Sequence, residues 1–302
     1  MKHKNKQSAF TLIELLVVIS IIAVLMSIMM PALTRARSQA KASLCGSNQH
    51  QITVGVVAYM ADNQDLPPSI QGRMVGGLIP SWHGTPTSLS YRSSNDASTN
   101  DGMNGGSVGR QLYDYLPLVD VWFCPLGNYK ENFKNQNNNR TIELRYRYGS
   151  GGPNNNWSGT QGQLSSTNFL LWNFQGWNNK DQIIGGEKKR FAGPGKNSKN
   201  GLILAEMTFW GYQFSGGTPV NWWLSNHPFR GASRGGGSSG SDSFWIVPSE
   251  DGSRDDAKFP KMNQQLNAGY VDGSVRKVNG EDMERITINK QNEAVYIPSI
   301  WR

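Results

Sequence analysis

The chain has few of the residues that build catalytic and metal sites. Its 302 residues include only two cysteines and four histidines, and no two of these have the short C-x-x-C or H-x-x-H spacing of a zinc motif. The run Gly235-Gly236-Gly237 does not lie between a strand and a helix, as a phosphate-binding loop would. We therefore predict no enzyme and no resident cofactor.

Charged and apolar residues are also scarce, at 17% and 37% of the chain, whereas 34 glycines are present. This composition predicts a loop-rich domain. Ten tryptophans argue against disorder, because chains that cannot form a core are usually poor in aromatic residues. The net charge of +8 includes three lysines within residues 1–9, and no extended basic stripe follows. We therefore expect no nucleic-acid partner.

The most distinctive segment is an apolar run over residues 10–30, preceded by lysines and followed by Arg35 and Arg37. As a helix these residues would span about 31 Å, close to the hydrocarbon thickness of a bilayer. A secretory signal has a shorter apolar stretch that ends in a small-x-small cleavage site, and none follows this run. We predict a membrane-spanning helix, with an uncleaved signal anchor as the alternative.

Glu14 is an acid inside this apolar run. A charged side chain within a membrane span costs a few kcal/mol and is normally retained for a partner. No Lys or Arg lies within one helical turn of Glu14. The nearest cation would be an α-amino group created by cleavage just before Phe10, either on the same chain or on a neighbouring subunit.

The run Ala9-Phe10-Thr11-Leu12-Ile13-Glu14 resembles the prepilin peptidase site of type IV pilins and type II secretion pseudopilins. The resemblance implies cleavage between Ala9 and Phe10, N-methylation of Phe10, and contact of Glu14 with the N-terminus of an adjacent subunit. Pro31 falls where pilins commonly have a helix-kinking proline. Ala9 departs from the family pattern, which usually has Gly before the cut. Prepilin peptidase and other pilin or pseudopilin subunits are the implied partners.

A second, narrower resemblance is to a pilin-like subfamily abundant in planctomycete-type bacteria. It rests on Leu44-Cys45-Gly46-Ser47-Asn48-Gln49, Trp122-Phe123-Cys124-Pro125, Leu202–Glu206 and Asn267–Val275. Many of these proteins have a His separated by nine residues from an Asp-Gly pair. Here that position is Met262, so the signature is incomplete and no role of the His carries over. His227, in a segment inserted between the matching stretches, could supply an imidazole in place of the missing His.

The predicted fold class is α+β, with a long N-terminal helix packed on an antiparallel sheet with long loops. We divide the chain into a leader (1–9), a transmembrane helix (10–30), an amphipathic stalk helix (31–66) and an extracytoplasmic pilin-like domain (67–302). An apolar stripe along the predicted stalk helix includes residues at helical spacings: Leu33, Leu44, Ile52, Val56 and Met60. Short strands are predicted in the domain, among them residues 141–148 and a hairpin around Asp272-Gly273. Residues 231–243, rich in Gly and Ser, predict a flexible loop.

Cys45 and Cys124 allow a single pairing. A disulfide is permitted in an exported chain, whereas it would be unusual in the cytosol. The alternative, two unpaired thiols packed as small apolar groups, stays open.

Two further candidate sites are weak. Four loop acids are candidates for a Ca²⁺ site, although their spacing fits no EF-hand and favours solvated loop acids: Glu250, Asp251, Asp255 and Asp256. Tryptophans concentrated in the middle of the domain either pack in its core or form a platform that binds polysaccharide: Trp172, Trp177, Trp210, Trp222 and Trp223.

Two hypotheses for function follow. In the first, a processed subunit anchored in inner-membrane lipid assembles through its N-terminal helix into a type IV pilus or a type II secretion pseudopilus. In the second, the same anchor tethers a non-polymerising, glycan-binding domain. Both place the short N-terminus in the cytoplasm and the large domain in the periplasm or outside the cell, following the positive-inside rule.

The processing hypothesis predicts a modified N-terminus. Mass spectrometry of the protein purified from its native membrane should find N-methylated Phe10 as the first residue, since Ala9 is small enough to replace the usual Gly. An intact Met1 would contradict cleavage.

Overall fold

The computed structural model describes residues 11–65, 68, 88–90, 108–127, 142, 146–147, 164–170, 201–206, 208–210, 222–228, 233–235, 244–248, 261–262, 264–287 and 294–298. The chain divides into two compact units, Met1–Lys41 and Ala42–Arg302. Two α-helices and twelve strands lie within the described residues: α1 (Leu12–Asp62), β1 (Ser88–Ser90), α2 (Val108–Leu112), β2 (Leu164–Ser165), β3 (Asn168–Leu170), β4 (Leu202–Glu206), β5 (Thr208–Trp210), β6 (Trp222–Ser225), β7 (Ser233–Gly235), β8 (Phe244–Pro248), β9 (Leu266–Tyr270), β10 (Val275–Val278), β11 (Met283–Thr287) and β12 (Ala294–Pro298).

Helix α1 begins with the apolar run of the first unit. The large apolar side chains here are exposed, and Met30 for example is 67% exposed. The helix is long and apolar enough to cross a membrane. Pro31 lies inside it, where a proline leaves the carbonyl four residues earlier, that of Ser27, without its usual backbone donor. The helix continues past Pro31, and a kink there stays a prediction.

In the second unit α1 packs on a four-stranded antiparallel sheet of order β10-β9-β4-β3. Ile52, Val56 and Met60 on the helix share a core with Ile203 and Leu204 of β4. Strands β4 and β9 are buried along their whole length, which is typical of strands covered on both faces. The predicted fold class is confirmed: α+β, with the long helix on an antiparallel sheet.

A buried tyrosine links the segments that flank this sheet. Tyr146 is fully buried beside Trp122, and its hydroxyl donates a hydrogen bond of 2.7 Å to the Leu116 carbonyl. Burial raises the pKa of Tyr146 well above its usual value. The hydroxyl therefore stays protonated in the folded chain. The free energy of unfolding falls only as the pH rises above about 10, where a tyrosine in the unfolded chain loses its proton.

The hairpin predicted around Asp272-Gly273 forms between β9 and β10. Gly273 has φ of 83°, a left-handed conformation that glycine adopts without steric cost. The Asp272 carboxylate accepts a hydrogen bond of 2.9 Å from the Ser274 backbone N–H. The hydrogen bonds from Ser274, with a smaller contribution from Arg276, lower the pKa of Asp272.

A six-stranded antiparallel sheet has the order β11-β12-β5-β6-β8-β7, and β1 and β2 form a separate two-stranded pair. In the larger sheet Trp210 of β5 lies opposite Trp223 of β6 in the backbone register.

Two predictions about local structure in the second unit were wrong. Ser233–Gly235, within the predicted 231–243 loop, forms strand β7 and pairs with β8, because ladder hydrogen bonds use only the backbone and need no side chain. Ile142, Tyr146 and Arg147 are helical rather than part of a strand. Ile142 and Tyr146 are both buried.

The stalk prediction needs two corrections. Leu33 and Leu44 are about half exposed, at 50% and 54%. The buried face instead passes through Cys45, Gln49, Ile52, Thr53, Gly55, Val56 and Met60. The helix ends at Asp62, before the predicted boundary at residue 66, because Gln64 and Asp65 adopt left-handed conformations and the Asp65 N–H bonds back to the Met60 carbonyl at 2.9 Å.

Close packing of α1 on β9 predicts a steric effect at Gly269. A Cβ at this position would overlap the Thr53 hydroxyl of the helix and lie 3.4 Å from Leu204 Cβ. Gly269→Ala should lower the free energy of unfolding by about 1–3 kcal/mol, as overpacking does in cores. Urea unfolding of the full chain in detergent measures this.

Gly46→Ala is the matched control, since its Cβ would only touch the Asn267 side chain at 3.4 Å. Alanine is also favoured over glycine in a helix by up to about 1 kcal/mol. If both variants lower the free energy of unfolding equally, the helix does not approach β9 especially closely at Gly269.

Candidate functional site

The N-terminus of α1 is closed by a capping box between Thr11 and Glu14. The Thr11 backbone N–H and hydroxyl both donate to Glu14 Oε2, each at 2.9 Å, and the Glu14 N–H donates to Thr11 Oγ1 at 3.2 Å. Thr11 is the N-cap and Glu14 the third helical residue, which is the spacing of this motif. The arrangement fixes the position of the carboxylate in the first turn.

Both hydrogen bonds to the Glu14 carboxylate use the same oxygen, Oε2. Among the described residues, Oε1 has no donor, and no cation pairs with the carboxylate. Hydrogen bonds from Thr11 orient the carboxylate but leave its negative charge in place. Ala9 and Phe10, the predicted cleavage pair, lie outside the described residues. The capped carboxylate keeps one oxygen for a further donor.

The helix that follows is apolar on all sides of its first five turns. Within the stretch Leu12–Met30 the polar residues are Glu14, Ser20 and Ser27. The two serine hydroxyls bond to carbonyls of their own helix, Leu16 and Val24, both at 2.8 Å. A helix with apolar side chains exposed all round is suited to lipid or to packing with other helices.

Comparison with known proteins identifies the same segment. Residues 4–30 match the family model for the prokaryotic N-terminal methylation motif. No curated protein and no solved structure gives a significant match to the chain. The motif and the long apolar helix support a type IV pilin-like protein that is processed by prepilin peptidase and anchored by a single N-terminal helix. Proteins with this motif are structural rather than catalytic.

A second cluster of functional groups is buried in the second unit. Cys45 of α1 and Cys124 are joined by a disulfide, with Cα atoms 5.1 Å apart. Glu206, at the end of β4, and His227, just after β6, lie beside them. One potential ligand atom from each of these four residues lies within 4.8 Å of all the others. The fold thus gathers four chemically active side chains from four distant segments.

Glu206 and His227 form a buried pair, 1% and 0% exposed. The Glu206 carboxylate accepts hydrogen bonds from the Asn267 backbone N–H at 2.8 Å and from Asn267 Nδ2 at 3.0 Å. His227 Nε2 lies 3.0 Å from Glu206 Oε1, and His227 Nδ1 lies 3.1 Å from the Gln265 carbonyl oxygen. The Nδ1 contact is a hydrogen bond to a carbonyl, whereas Nε2 lies close to the carboxylate but has no hydrogen-bond partner among the described residues.

Gln49 of helix α1 connects the helix to the strands around this cluster. Its side-chain nitrogen donates to Asn168 Oδ1 at 2.8 Å and to the Asn267 carbonyl at 3.2 Å. Cys124 is held from the other side, where its backbone N–H donates to Thr167 Oγ1 at 2.7 Å. The polar groups therefore tie α1, β3 and β9 together around the disulfide.

Sequence reasoning offered the Cys45–Cys124 disulfide as one alternative but missed Glu206 and His227 beside it, because the four residues are far apart in the chain. It singled out His227 only as a stand-in for the imidazole absent at Met262. In the structure His227 does contact the backbone of Gln265, three residues after Met262. Glu206, Asn267 and Gln49 carried no site signal in the sequence; Gln49 is a polar residue on the buried face of α1.

The weaker candidates are only partly covered by the described residues. Trp172 and Trp177 lie outside those residues, as do Glu250, Asp251, Asp255 and Asp256. Trp210, Trp222 and Trp223 lie on neighbouring strands β5 and β6. The calcium and glycan sites stay predictions.

The buried Glu206–His227 pair predicts a costly substitution. His227→Gln in the disulfide-bonded chain should lower the free energy of unfolding by about 1–3 kcal/mol, because it removes the hydrogen bond to the Gln265 carbonyl and the imidazole that packs 3.0 Å from the Glu206 carboxylate. Chemical unfolding of the full chain in detergent measures the loss.

The double variant with Glu206→Gln should lose less than the sum of the two single losses, because no unpaired charge remains. His50→Gln is the control: His50 is exposed and should change stability by less than about 1 kcal/mol. A loss at His227 no greater than at His50 would contradict a stabilising role for the buried pair.

Proposed function

We propose that this chain is a structural subunit that assembles through helix α1 into a type IV pilus or a type II secretion pseudopilus. The single observation that carries the proposal is the Glu14 carboxylate, which is capped on Oε2 only and has no cation among the described residues. In the proposal, cleavage before Phe10 creates an amine, and the Glu14 Oε1 of one subunit binds the methylated amine of the next.

The energetics of the membrane support this role for Glu14. An ionised carboxylate at the centre of a helix costs about 2.5–3.5 kcal/mol on insertion scales, and less near the interface. Contact with a neighbouring subunit's amine offsets that cost only in the assembled state. The acid therefore favours assembly over free subunits, and the apolar surface of Leu12–Met30 supplies the area along which helices pack.

The N-terminal lysines support an orientation. Lys2, Lys4 and Lys6 precede the apolar run, and cytoplasmic flanks of membrane helices carry an excess of such residues. The proposal therefore places the leader in the cytoplasm, the span in the inner membrane and the second unit in the periplasm or outside the cell. A disulfide between Cys45 and Cys124 suits an oxidising compartment.

Crosslinking in the native membrane tests assembly. A cysteine placed at the exposed Ala32 reports neighbouring α1 helices through a short bis-maleimide. Glu14→Gln should reduce the crosslinked species about tenfold or more, because a hydrogen bond to a charged group contributes about 1.5–3 kcal/mol. Glutamine can still accept the capping hydrogen bond from Thr11. A loss of crosslinking would therefore reflect the missing negative charge rather than a disrupted helix cap.

Thr11→Val is the matched control. It removes the hydroxyl of the cap, which costs about 1 kcal/mol of helix stability, but keeps the carboxylate charge, so crosslinks should persist. Carbonate extraction verifies that all variants remain in the membrane. If Glu14→Gln crosslinks like the unsubstituted chain, or if the chain stays monomeric and binds polysaccharide, the assembly proposal fails and the tethered binding protein replaces it.

A further inference from the structure

We propose that Cys45, Cys124, Glu206 and His227 form a tetrahedral zinc site when the disulfide is reduced. In this proposal the same four residues have two exclusive states: a disulfide beside a histidine–carboxylate pair, or two thiolates, a carboxylate and an imidazole around one Zn²⁺. The inference concerns only the second unit and does not depend on assembly through α1.

The geometry meets the requirements of zinc. Tetrahedral sites with Zn–S of about 2.3 Å and Zn–N or Zn–O of about 2.0 Å separate their ligand atoms by roughly 3.3–3.8 Å. The four ligand atoms here all lie within 4.8 Å of one another. Reduction breaks the S–S bond and frees both sulfurs to move apart by rotation about Cα–Cβ. Small side-chain movements therefore bring all four atoms to zinc-binding distance.

The imidazole is already oriented as a zinc ligand. His227 Nδ1 donates to the Gln265 carbonyl, which leaves Nε2 as the atom facing Glu206 Oε1 at 3.0 Å. A backbone carbonyl on the remote nitrogen is the usual arrangement of zinc-bound histidines, because it fixes the tautomer and the ring plane. Nε2 is buried and has no hydrogen-bond partner among the described residues, which leaves it available to a metal ion.

The carboxylate is supported in the same way. Asn267 donates to both oxygens of Glu206, at 2.8 Å and 3.0 Å. Ligating carboxylates are typically held by such outer hydrogen bonds. With two thiolates and one carboxylate around Zn²⁺, the site carries one net negative charge, and the two hydrogen bonds from Asn267 disperse it. All four ligands are at least nine-tenths buried, so water does not compete for the metal.

Binding involves no electron transfer. The two thiols lose their protons to water as Zn²⁺ forms bonds to two sulfurs, one imidazole nitrogen and one carboxylate oxygen. Conversion to the disulfide state removes two electrons from the thiolates. A protein disulfide of the thiol-oxidoreductase class accepts them, takes up two protons from water and becomes a dithiol. The S–S bond forms as both Zn–S bonds break and Zn²⁺ leaves. In either state Cys45 of the helix stays linked to Cys124.

The test uses zinc alone with the full chain in detergent. The chain is reduced with a phosphine, stripped with a chelator, and refolded with or without zinc, since the site is buried and binding is coupled to folding. We expect one zinc per chain and X-ray absorption showing two sulfurs at about 2.3 Å with nitrogen and oxygen at about 2.0–2.1 Å. The disulfide-bonded chain should not bind zinc at this site.

Variants separate this site from incidental binding. Glu206→Gln and His227→Gln should weaken zinc binding, and Asn267→Ala should weaken it roughly 10- to 100-fold through the outer hydrogen bonds. His50→Gln, an exposed histidine, should leave it unchanged. Unaltered zinc binding in both Glu206→Gln and His227→Gln would overturn the proposal.

A measurement on the unsubstituted chain keeps the test decisive if the variants fail to fold. Zinc should protect both cysteines of the reduced chain from alkylation, while disulfide-bonded chain gives no reaction in either condition. Equal alkylation of the reduced chain with and without zinc, or a zinc shell without sulfur, would overturn the site.

Discussion

The described part of the second unit depends on one contact, the packing of helix α1 against strand β9. Gly269 allows the helix to approach closely enough for its Thr53 hydroxyl to lie where a Cβ would otherwise be. Gln49, one turn earlier, bonds to the Asn267 carbonyl on the same strand. Because Asn267 in turn holds Glu206, a shift of the helix along β9 would disturb the carboxylate, its histidine and the nearby disulfide together.

This contact explains why the helix carries polar residues on its buried face. An apolar face alone would tolerate sliding, since apolar packing has little directional preference. Gln49 and Thr53 have hydrogen-bonding groups that must be satisfied when buried, and the Thr53 hydroxyl donates to the Gln49 carbonyl at 2.8 Å. The disulfide at Cys45 then adds a covalent constraint at the start of the same face. The helix is thus fixed in register as well as in position.

The sequence predicted what is encoded locally. The apolar run with Glu14 indicated the membrane helix and the methylation motif, and the Asp272-Gly273 pair indicated the hairpin, because each depends on neighbouring residues only. The sequence-based prediction failed where spacing is ambiguous. The separation of Ile142 and Tyr146 fits the alternating pattern of a strand as well as one face of a helix. The prediction placed Leu44 rather than Gln49 on the buried face, because a polarity pattern cannot anticipate a buried amide that finds partners on β9.

The buried cluster could not be predicted, because Cys45, Cys124, Glu206 and His227 meet only after the sheet has formed. It nevertheless poses the same physical problem as Glu14. In both places hydrogen bonds orient a carboxylate, from Thr11 in one case and from Asn267 in the other, but a hydrogen bond from a neutral donor does not cancel a charge. A carboxylate removed from water needs a cation close by. At Glu206 the fold places the His227 imidazole 3.0 Å away; at Glu14 the described residues place no cation, and in the proposed assembly the amine of a neighbouring subunit takes that place.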